Sequence, residues 1–295
     1  MQCACLRWAV SLKQVFESDA LETHFRRAAQ AVQPEEWDRI KLFKFRDDAL
    51  SSLIGRLMLR QATKKITGRP WSEITFGRTE RGKPYLLSPS GFNFGINVSH
   101  QGDYVVLSSS CTPRVGVDVM CIERDKTNKT ADEYITFMQR SYSKDELRVM
   151  RMQPTDTMKL TYFYRFWCLK ESIIKATGVG IHDDLAKLDF RMDPNDRYRP
   201  GCLLSSTKLM EGDRVKSEWV FEESFLDQLH CVAVCREAIP SIPTCRLSQG
   251  SMNSLHFAKV NLEMLLNDCE VLNRIDGCGA ATEWLSFFDK PRKPW

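Results

Sequence analysis

The chain has 295 residues, of which 43% are hydrophobic and 27% charged, and its formal net charge at pH 7 is +4. This composition is typical of globular proteins, and the length suffices for one large domain or two smaller ones. Lysine and arginine are scattered rather than gathered in a basic stripe, which argues against nucleic-acid binding and favours a small polyanionic ligand. We find neither a signal peptide nor a run of 18 apolar residues, and therefore expect no membrane segment.

Eleven cysteines are present, without a Cys-x-x-Cys pair and without a neighbouring pair of histidines. An odd number at these spacings fits neither a disulfide framework nor a zinc site. We therefore predict reduced, mostly buried thiols in a cytosolic protein.

The first hundred residues alternate between patterns typical of strands and of helices. Pro34 stands at the favoured first position of one predicted helix, which contains Arg39. A tight turn at Gln101-Gly102 predicts a hairpin between two apolar strands. The predicted strands are residues 5–12, 92–100 and 103–108, and the predicted helices are residues 17–33, 35–45 and 47–66.

Between these elements lies a basic turn with Arg78, Arg81 and Lys83 around Gly82. Cations at a glycine-bearing turn are typical of a phosphate cradle. Basic hairpin loops also arise by chance, so this segment needs support from other residues.

The run Val115 to Met120 is apolar enough for a buried strand, yet it contains Asp118. A buried aspartate is most often a hydrogen-bonded structural group. It becomes a candidate metal ligand only when a second carboxylate reaches it, and Glu171 is the obvious one.

Residues 156–176 contain neither glycine nor proline and stop at Gly178, which predicts a helix with a glycine C-cap. Lys170 falls in the middle of the apolar face of this helix and therefore needs a partner, because desolvating an isolated charge costs several kcal/mol. Glu171 lies at the border of that face, with Lys175 one turn later. Taken alone, these two could form a surface pair worth about 0.3–0.5 kcal/mol.

The remaining chain is predicted to be mostly strands followed by one helix. Ser143 and Glu146 have the spacing of a capping box. Beyond the long helix, strands are expected at 188–192, 203–210, 219–225 and 231–235, then a helix at 257–272 and a frayed end at 290–295.

Gly116-Val117-Asp118, followed about fifty residues later by Trp-x-x-Lys-Glu-x-x-x-Lys at 167–175, resembles the 4′-phosphopantetheinyl transferases. The length fits the large, surfactin-synthetase-type branch. Three further blocks, at 33–36, 78–84 and 97–103, resemble its animal-type members.

The resemblance implies an α+β fold with two similar α/β lobes related by a pseudo-twofold axis and a ligand cleft between them. The expected division is an N-terminal lobe at 1–115, a C-terminal lobe at 116–237 and an extension at 238–295. A monomer is expected, in the cytosol, without a nucleic-acid or membrane partner.

The resemblance also implies the reaction. Such enzymes bind Mg²⁺ and move phosphopantetheine from coenzyme A (CoA) to a serine of acyl, peptidyl or aminoadipate-type carrier domains, releasing 3′,5′-ADP. It assigns Asp118 and Glu171 to the metal, Glu171 or a water to the proton of the serine, and Lys175 to a CoA phosphate. The residues expected to bind the nucleotide are Arg39, Arg78, Arg81, Lys83, Asn97, Ser99 and His100.

One position departs from the pattern of many bacterial members, which have a glutamate two residues after the strand aspartate. Here Met120 stands there, and a thioether is a poor Mg²⁺ ligand. A water held by Gln101 is expected to take the third ligand position on the metal. Animal-type members share the methionine.

Two other interpretations stay open. One is a non-catalytic protein that binds CoA or carriers on the same fold, and the other is a metal-dependent nucleotide pyrophosphatase. The histidines other than His100 are expected to be structural.

Overall fold

The computed structural model describes residues 4–80, 82–122, 129–179, 185–196, 200–238, 256–274 and 286–293. Their elements form a mixed α+β structure, which confirms the predicted class. The strands are β1 Arg7–Ser11, β2 Thr75–Arg78, β3 Pro84–Ser88, β4 Gly95–Gln101, β5 Tyr104–Ser110, β6 Val115–Cys121, β7 Asp189–Arg191, β8 Lys208–Glu211, β9 Arg214–Val215, β10 Trp219–Phe225, β11 His230–Glu237 and β12 Ala258–Lys259. The helices are α1 Leu12–Phe16, α2 Leu21–Gln30, α3 Pro34–Lys41, α4 Arg46–Thr67, α5 Ala131–Phe137, α6 Lys144–Arg151, α7 Asp156–Thr177 and α8 Leu262–Leu266.

The first sheet has the strand order β12-β1-β5-β4 and is covered on one face by helices. All its pairs are antiparallel except β1 with β12. Residues of α2, α3, α4 and α8 form one core with the sheet. As predicted, Pro34 is the first residue of α3, and α4 ends at Gly68 with a left-handed φ of 68°.

The second sheet has the strand order β10-β11-β6, all antiparallel, and α7 packs on one of its faces. Helices α5 and α6 pack against α7 in the same core. The predicted capping box at Ser143 is present at the start of α6, and α7 ends at Gly178 with a φ of 74°. Two smaller sheets, β2-β3 and β7-β8-β9, complete the topology of the described residues.

A third core joins the two large sheets. It contains Ala9, Val106, Val117, Val119 and Val232, which come from β1, β5, β6 and β11. Because side chains alternate along a strand, the opposite face of β6 carries Gly116, Asp118 and Met120 toward α7. The alternation therefore holds Asp118 at the interface between strand and helix.

Gly116 allows this close packing of α7 on β6. A Cβ atom added there would lie 2.0 Å from the carbonyl oxygen of Ser172 and 2.5 Å from the backbone nitrogen of Ala176. Both neighbours are backbone atoms of the helix, which cannot move away without shifting α7. A glycine at this position is thus required by packing.

We expect Gly116→Ala to lower the free energy of unfolding by about 3 kcal/mol, because overpacking against backbone strains strand and helix together. Urea unfolding of the purified variant measures this. The matched control is Gly55→Ala inside α4, where the added Cβ meets Val98 at an ordinary 3.4 Å. The control should be neutral or stabilise by up to about 1 kcal/mol, and equal effects at both glycines would contradict the packing argument.

Lys170 has the partner that its place on the apolar face requires. Its ammonium lies 2.8 Å from a carboxylate oxygen of Glu146, and both side chains are at most 1% exposed. It also donates to the carbonyl oxygen of Leu185 at 2.8 Å. Glu146 in turn accepts the backbone N–H of Ser143 and that of Phe190. The ion pair between Lys170 and Glu146 therefore has a structural role, because it connects α7 to α6.

A second buried charge cluster connects the two large sheets. Glu222 on β10 accepts from Nε of Arg7 on β1 at 2.9 Å and from Nε of Arg236 at 2.7 Å. His256, just before β12, lies 3.1 Å from the same carboxylate. Through this one carboxylate, the second sheet is bonded to β1 of the first sheet and to His256.

Two sequence predictions for the C-terminal region are wrong. The helix expected at 257–272 is a short strand, β12, followed by the five-residue α8. The end expected to fray is fixed at 290–293, because Lys290 and Arg292 bond to the junction of α3 and α4. Residues 294 and 295 lie outside the described residues. None of the described helices is both long and apolar enough to span a bilayer.

Candidate active site

Asp118, Lys175 and Ser99 form one hydrogen-bonded group between β4, β6 and α7. The ammonium of Lys175 donates to Oδ1 of Asp118 at 2.6 Å and to the hydroxyl of Ser99 at 2.8 Å. The hydroxyl of Ser99 donates to the same carboxylate oxygen at 2.9 Å. The ion pair of Lys175 is therefore with the strand aspartate, and the interpretation as a surface pair with Glu171 does not describe this helix.

Two carboxylates lie at this group, those of Asp118 and Glu171, and each has an unfavourable environment. Oδ2 of Asp118 is buried and accepts no hydrogen bond from the described residues. The pKa of Glu171 is raised by burial first and by the charge of Asp118 second, while Lys175 opposes both. A buried acceptor without a donor and a second carboxylate beside it favour a bound cation.

Two side chains of β4 bond directly to the backbone of β6. Oδ1 of Asn97 accepts the backbone N–H of Val117 at 2.9 Å, and Oε1 of Gln101 accepts the backbone N–H of Cys121. They flank Ser99 and hold it against Asp118. Asn97, which was expected to bind the nucleotide, thus has its carbonyl oxygen engaged in a bond between strands. The carbonyl oxygen of Gln101 is likewise engaged.

His100 lies on the opposite face of β4 from Ser99 and is exposed. Desolvation, followed by the charge of Lys175, lowers the pKa of its imidazole. His100 is therefore available to a ligand, unlike its neighbour Ser99.

Arg39 on α3 and Arg78 at the end of β2 are both exposed and lie within electrostatic reach of each other. Desolvation lowers the pKa of Arg78 most, and the positive charge of Arg39 lowers it further. Arg78 also donates to the carbonyl oxygen of Gly82 at 3.0 Å. Because the positive charges of the two guanidinium groups repel each other, a bound anion would interact favourably with both.

Lys83, which is predicted to bind a phosphate of the nucleotide, bonds to the end of α7 in this structure. Its ammonium donates to the carbonyl oxygens of Lys175 at 2.5 Å and of Ala176 at 3.4 Å, at the C-terminal end of α7. A cation there satisfies carbonyl groups that have no partner within the helix. Lys83 thus joins the β2–β3 hairpin to the helix that carries Lys175. Arg81 lies outside the described residues.

The contribution of Gly116 to the site was missed in the sequence. A glycine inside an apolar strand often marks a close backbone approach, and that signal was available. Its close contact with α7 brings Glu171 and Lys175 within reach of Asp118. The carbonyl-binding role of Lys83 had no comparable signal.

The described residues contain no cluster of three or more His, Cys, Asp or Glu side chains that could hold a metal ion. Met120 contributes no carboxylate here. Met120 is half-buried on the α7 face of β6, two residues from Asp118. Protein ligation of a cation here would rest on Asp118 and Glu171.

Comparison with known proteins places these residues in a family. Residues 19–112 match the model of the 4′-phosphopantetheinyl transferase N-terminal domain, and residues 114–235 match the 4′-phosphopantetheinyl transferase superfamily. The second match includes Asp118, Glu171 and Lys175.

Curated relatives extend the match over most of the chain. The L-aminoadipate-semialdehyde dehydrogenase-phosphopantetheinyl transferase of Mus musculus is 38% identical over 242 residues, covering 78% of this chain and 74% of the relative. The protein of that name from Xenopus laevis is 32% identical over 293 residues, covering 98% and 94%. The 4′-phosphopantetheinyl transferase of Bacillus subtilis is 30% identical over 166 residues, covering 56% and 69%. The resemblance read from the sequence motifs is thereby confirmed: the chain is a transferase enzyme that belongs to the 4′-phosphopantetheinyl transferase family.

Proposed function

We propose that the protein transfers 4′-phosphopantetheine from CoA to a serine of apo carrier proteins, in a Mg²⁺-dependent reaction that releases 3′,5′-ADP. The observation that carries this proposal is the pairing of Asp118 with Lys175 beside Glu171, at the meeting point of β4, β6 and α7. Family membership supports the transfer to carrier proteins, and the charges of the site support the particular substrate.

We further propose that the two large sheets belong to two lobes and that CoA binds in a cleft between them. Several contacts cross this boundary at the site: Ser99 to Asp118, Lys175 to Ser99, and Lys83 to the end of α7. Arg39, Arg78 and His100 lie on the side of the first sheet. A ligand with separated phosphates, such as CoA, fits cations contributed from both sides.

The residues present fit a divalent cation of the Mg²⁺ class. Asp118 would offer its unsatisfied Oδ2, and Glu171 a second carboxylate, which are the oxygen ligands this ion prefers. Such an ion, when bound, neutralises negative charge on a pyrophosphate. No third protein carboxylate is needed, since Mg²⁺ commonly keeps several waters.

The chain's own residues would perform the remaining work. The ammonium of Lys175 places a positive charge beside Asp118, where it can neutralise a pyrophosphate oxygen. Glu171 is the candidate base, because it is the second carboxylate of the site and can accept a proton directly or through a water that it orients. Arg39, Arg78 and His100 would hold the nucleotide phosphates.

The transfer step replaces one phosphorus–oxygen bond with another. The serine oxygen of the carrier forms a bond to the β-phosphorus of CoA, and the bond from that phosphorus to the bridging oxygen breaks. The serine proton passes to Glu171 or to a water that it orients. The bridging oxygen leaves with 3′,5′-ADP, and phosphopantetheine stays on the serine.

Intact mass of an apo carrier tests the proposal. The carrier is incubated with the protein, CoA and Mg²⁺, and we expect a gain of one phosphopantetheine mass with formation of 3′,5′-ADP. The panel includes acyl, peptidyl and aminoadipate-type carriers, because all three classes are proposed partners in the cytosol. Unchanged masses across the panel would contradict the proposal. Hydrolysis of CoA without a carrier would indicate a pyrophosphatase, and CoA binding without reaction a non-catalytic binding protein.

The position of Met120 leads to a prediction about the proposed cation site. Met120→Glu adds a hard oxygen ligand on the strand face that carries Asp118, so the Mg²⁺ concentration for half-maximal transfer should fall about tenfold. Calorimetric titration of Mg²⁺ should show the same gain in affinity. Met120→Gln, which adds no charge, is the matched control and should change the requirement much less. An unchanged requirement in the glutamate variant would show that this position does not face the ion.

A further inference from the structure

The C-terminal segment, residues 286–293, is fixed to the junction of α3 and α4. Phe287 is buried and stacks on Phe25 of α2, with 3.7 Å between the ring centroids. The ammonium of Lys290 donates to the carbonyl oxygen of Phe43 at 2.7 Å. The segment is therefore part of the first sheet's core and has a defined position beside α3, the helix that carries Arg39.

Two carboxylates in the first turn of α4 hold the last described cations. Asp47 accepts from Nε of Arg292 at 3.0 Å and from the backbone N–H of Lys293 at 2.9 Å. Asp48 forms an ion pair with the ammonium of Lys293 at 2.6 Å. The backbone and the side chain of Lys293 are thus both positioned.

His100 lies on the side of β4 that faces α4. Its neighbour on that face, Val98, packs against Gly55 in the middle of the helix. Two residues of strand advance by about 6.6 Å, which corresponds to about four residues of helix. Four residues from Gly55 toward the start of α4 is Ser51, and Asp48 lies one turn beyond it.

The charges around His100 agree with this placement. Burial and Lys175 have the largest effects on the pKa of His100, and both lower it. Asp48 and Lys293 add smaller, opposing effects, so both lie within electrostatic reach of the imidazole. The C-terminal segment therefore contributes a cation to the same region as a residue of the proposed nucleotide site.

We propose that Lys293, together with His100, binds the 3′-phosphate of CoA and thereby selects CoA over 3′-dephospho-CoA. This inference rests on the proposed function. The pyrophosphate is assigned to Lys175 and to the cation proposed at Asp118 and Glu171, on the other face of β4, so the phosphate that remains for the α4 face is the one on the ribose.

The ion pair with Asp48 does not prevent this role. The side chains of Lys293 and Asp48 are 37% and 21% exposed, so solvent screens their attraction. A doubly charged phosphate competes effectively for such an ammonium. Asp48 acts as a positioning residue that holds Lys293 near the site before the ligand binds.

The test compares Lys293→Met with Lys144→Met, an exposed lysine on α6 in the second core. Both variants lose one positive charge, and Lys293→Met keeps the backbone N–H that bonds to Asp47. We expect kcat/KM for CoA to fall about tenfold in Lys293→Met, the usual effect of losing one charge-assisted contact. The value for 3′-dephospho-CoA should change less than twofold, and the control should change neither value.

An equal fall for both substrates would identify Lys293 as a structural residue and overturn the inference, as would unchanged values for both. Calorimetric titration with 3′,5′-ADP and 5′-AMP separates this inference from the proposed function. A wild-type preference for 3′,5′-ADP that disappears in Lys293→Met supports the inference even if no carrier is modified. Equal affinity of the wild-type protein for the two nucleotides would overturn it.

Discussion

Glu171→Gln is expected to reduce the rate of phosphopantetheine transfer by a factor of about 10² or more, the usual effect of losing a general base. The substitution keeps the shape of the side chain but removes its charge and its ability to accept a proton. Stability should stay unchanged or rise, because burial and the charge of Asp118 disfavour the ionised form of Glu171 in the folded protein. Carrier-labelling rates combined with a thermal melt measure both effects.

Lys175→Met provides the contrast on the same helix. Its ammonium is the charged partner of Asp118, a residue that is 5% exposed, so this variant should lose both activity and stability. A Glu171→Gln variant that transfers at the wild-type rate would remove Glu171 from the reaction. An equal loss of stability in both variants would assign the two residues a shared structural role instead.

The sequence predicted most of the fold where local signals were strong. The glycine cap and the unbroken apolar pattern located α7 to within one residue, and the strand predicted at 219–225 is β10 as found. Propensity and periodicity suffice for such segments, because they are long or carry clear end signals. The C-terminal region failed for the opposite reason: β12 has two residues and α8 five, too few for a period to appear.

Within the candidate site, the sequence identified residue types better than partners. An aspartate in an apolar strand and a lysine on an apolar helix face each indicated that a partner must exist. The tertiary structure was required to choose between Glu171 and Asp118 as the partner of Lys175. Glu171 is one helical turn away, whereas Asp118 is 57 positions away and is brought close only by the packing of α7 on β6. Lys170 shows the same limit: the need for a partner was predictable, but Glu146 as that partner was not.

Two cations of the predicted phosphate cradle illustrate why a motif does not fix a role. Arg78 and Lys83 stand five residues apart in one hairpin, yet Arg78 is exposed near Arg39 while Lys83 donates to the end of α7. Hairpin geometry sends neighbouring side chains to different faces. The contribution of the C-terminal segment was likewise unpredictable, because it depends on ion pairs between residues about 245 positions apart.

The buried cluster at Glu222 is expected to have a large effect on stability, because its carboxylate and the Arg7 side chain are almost fully buried. Burial alone would raise the pKa of Glu222, but Arg7 and His256 outweigh it and hold the pKa well below its usual range. A carboxylate with a lowered pKa stabilises the fold fully above its unfolded value of about 4.3 and loses that contribution as the pH falls through the folded value. Its charge is therefore fully present at neutral pH.

We expect Glu222→Gln to lower the free energy of unfolding at pH 7 by about 3–5 kcal/mol, because the guanidinium of Arg7 is then buried without a compensating charge. The matched control is Glu22→Gln, which removes an exposed partner of Arg26 and should cost no more than about 0.5 kcal/mol. Urea unfolding measures both. The double variant Arg7→Met/Glu222→Leu replaces the fully buried charge pair with apolar groups and should recover part of the loss; the remainder comes from Arg236, which loses the same carboxylate. If Glu222→Gln costs less than about 1 kcal/mol, or if the double variant is less stable than the single one, the cluster does not bond the two sheets in the way its geometry indicates.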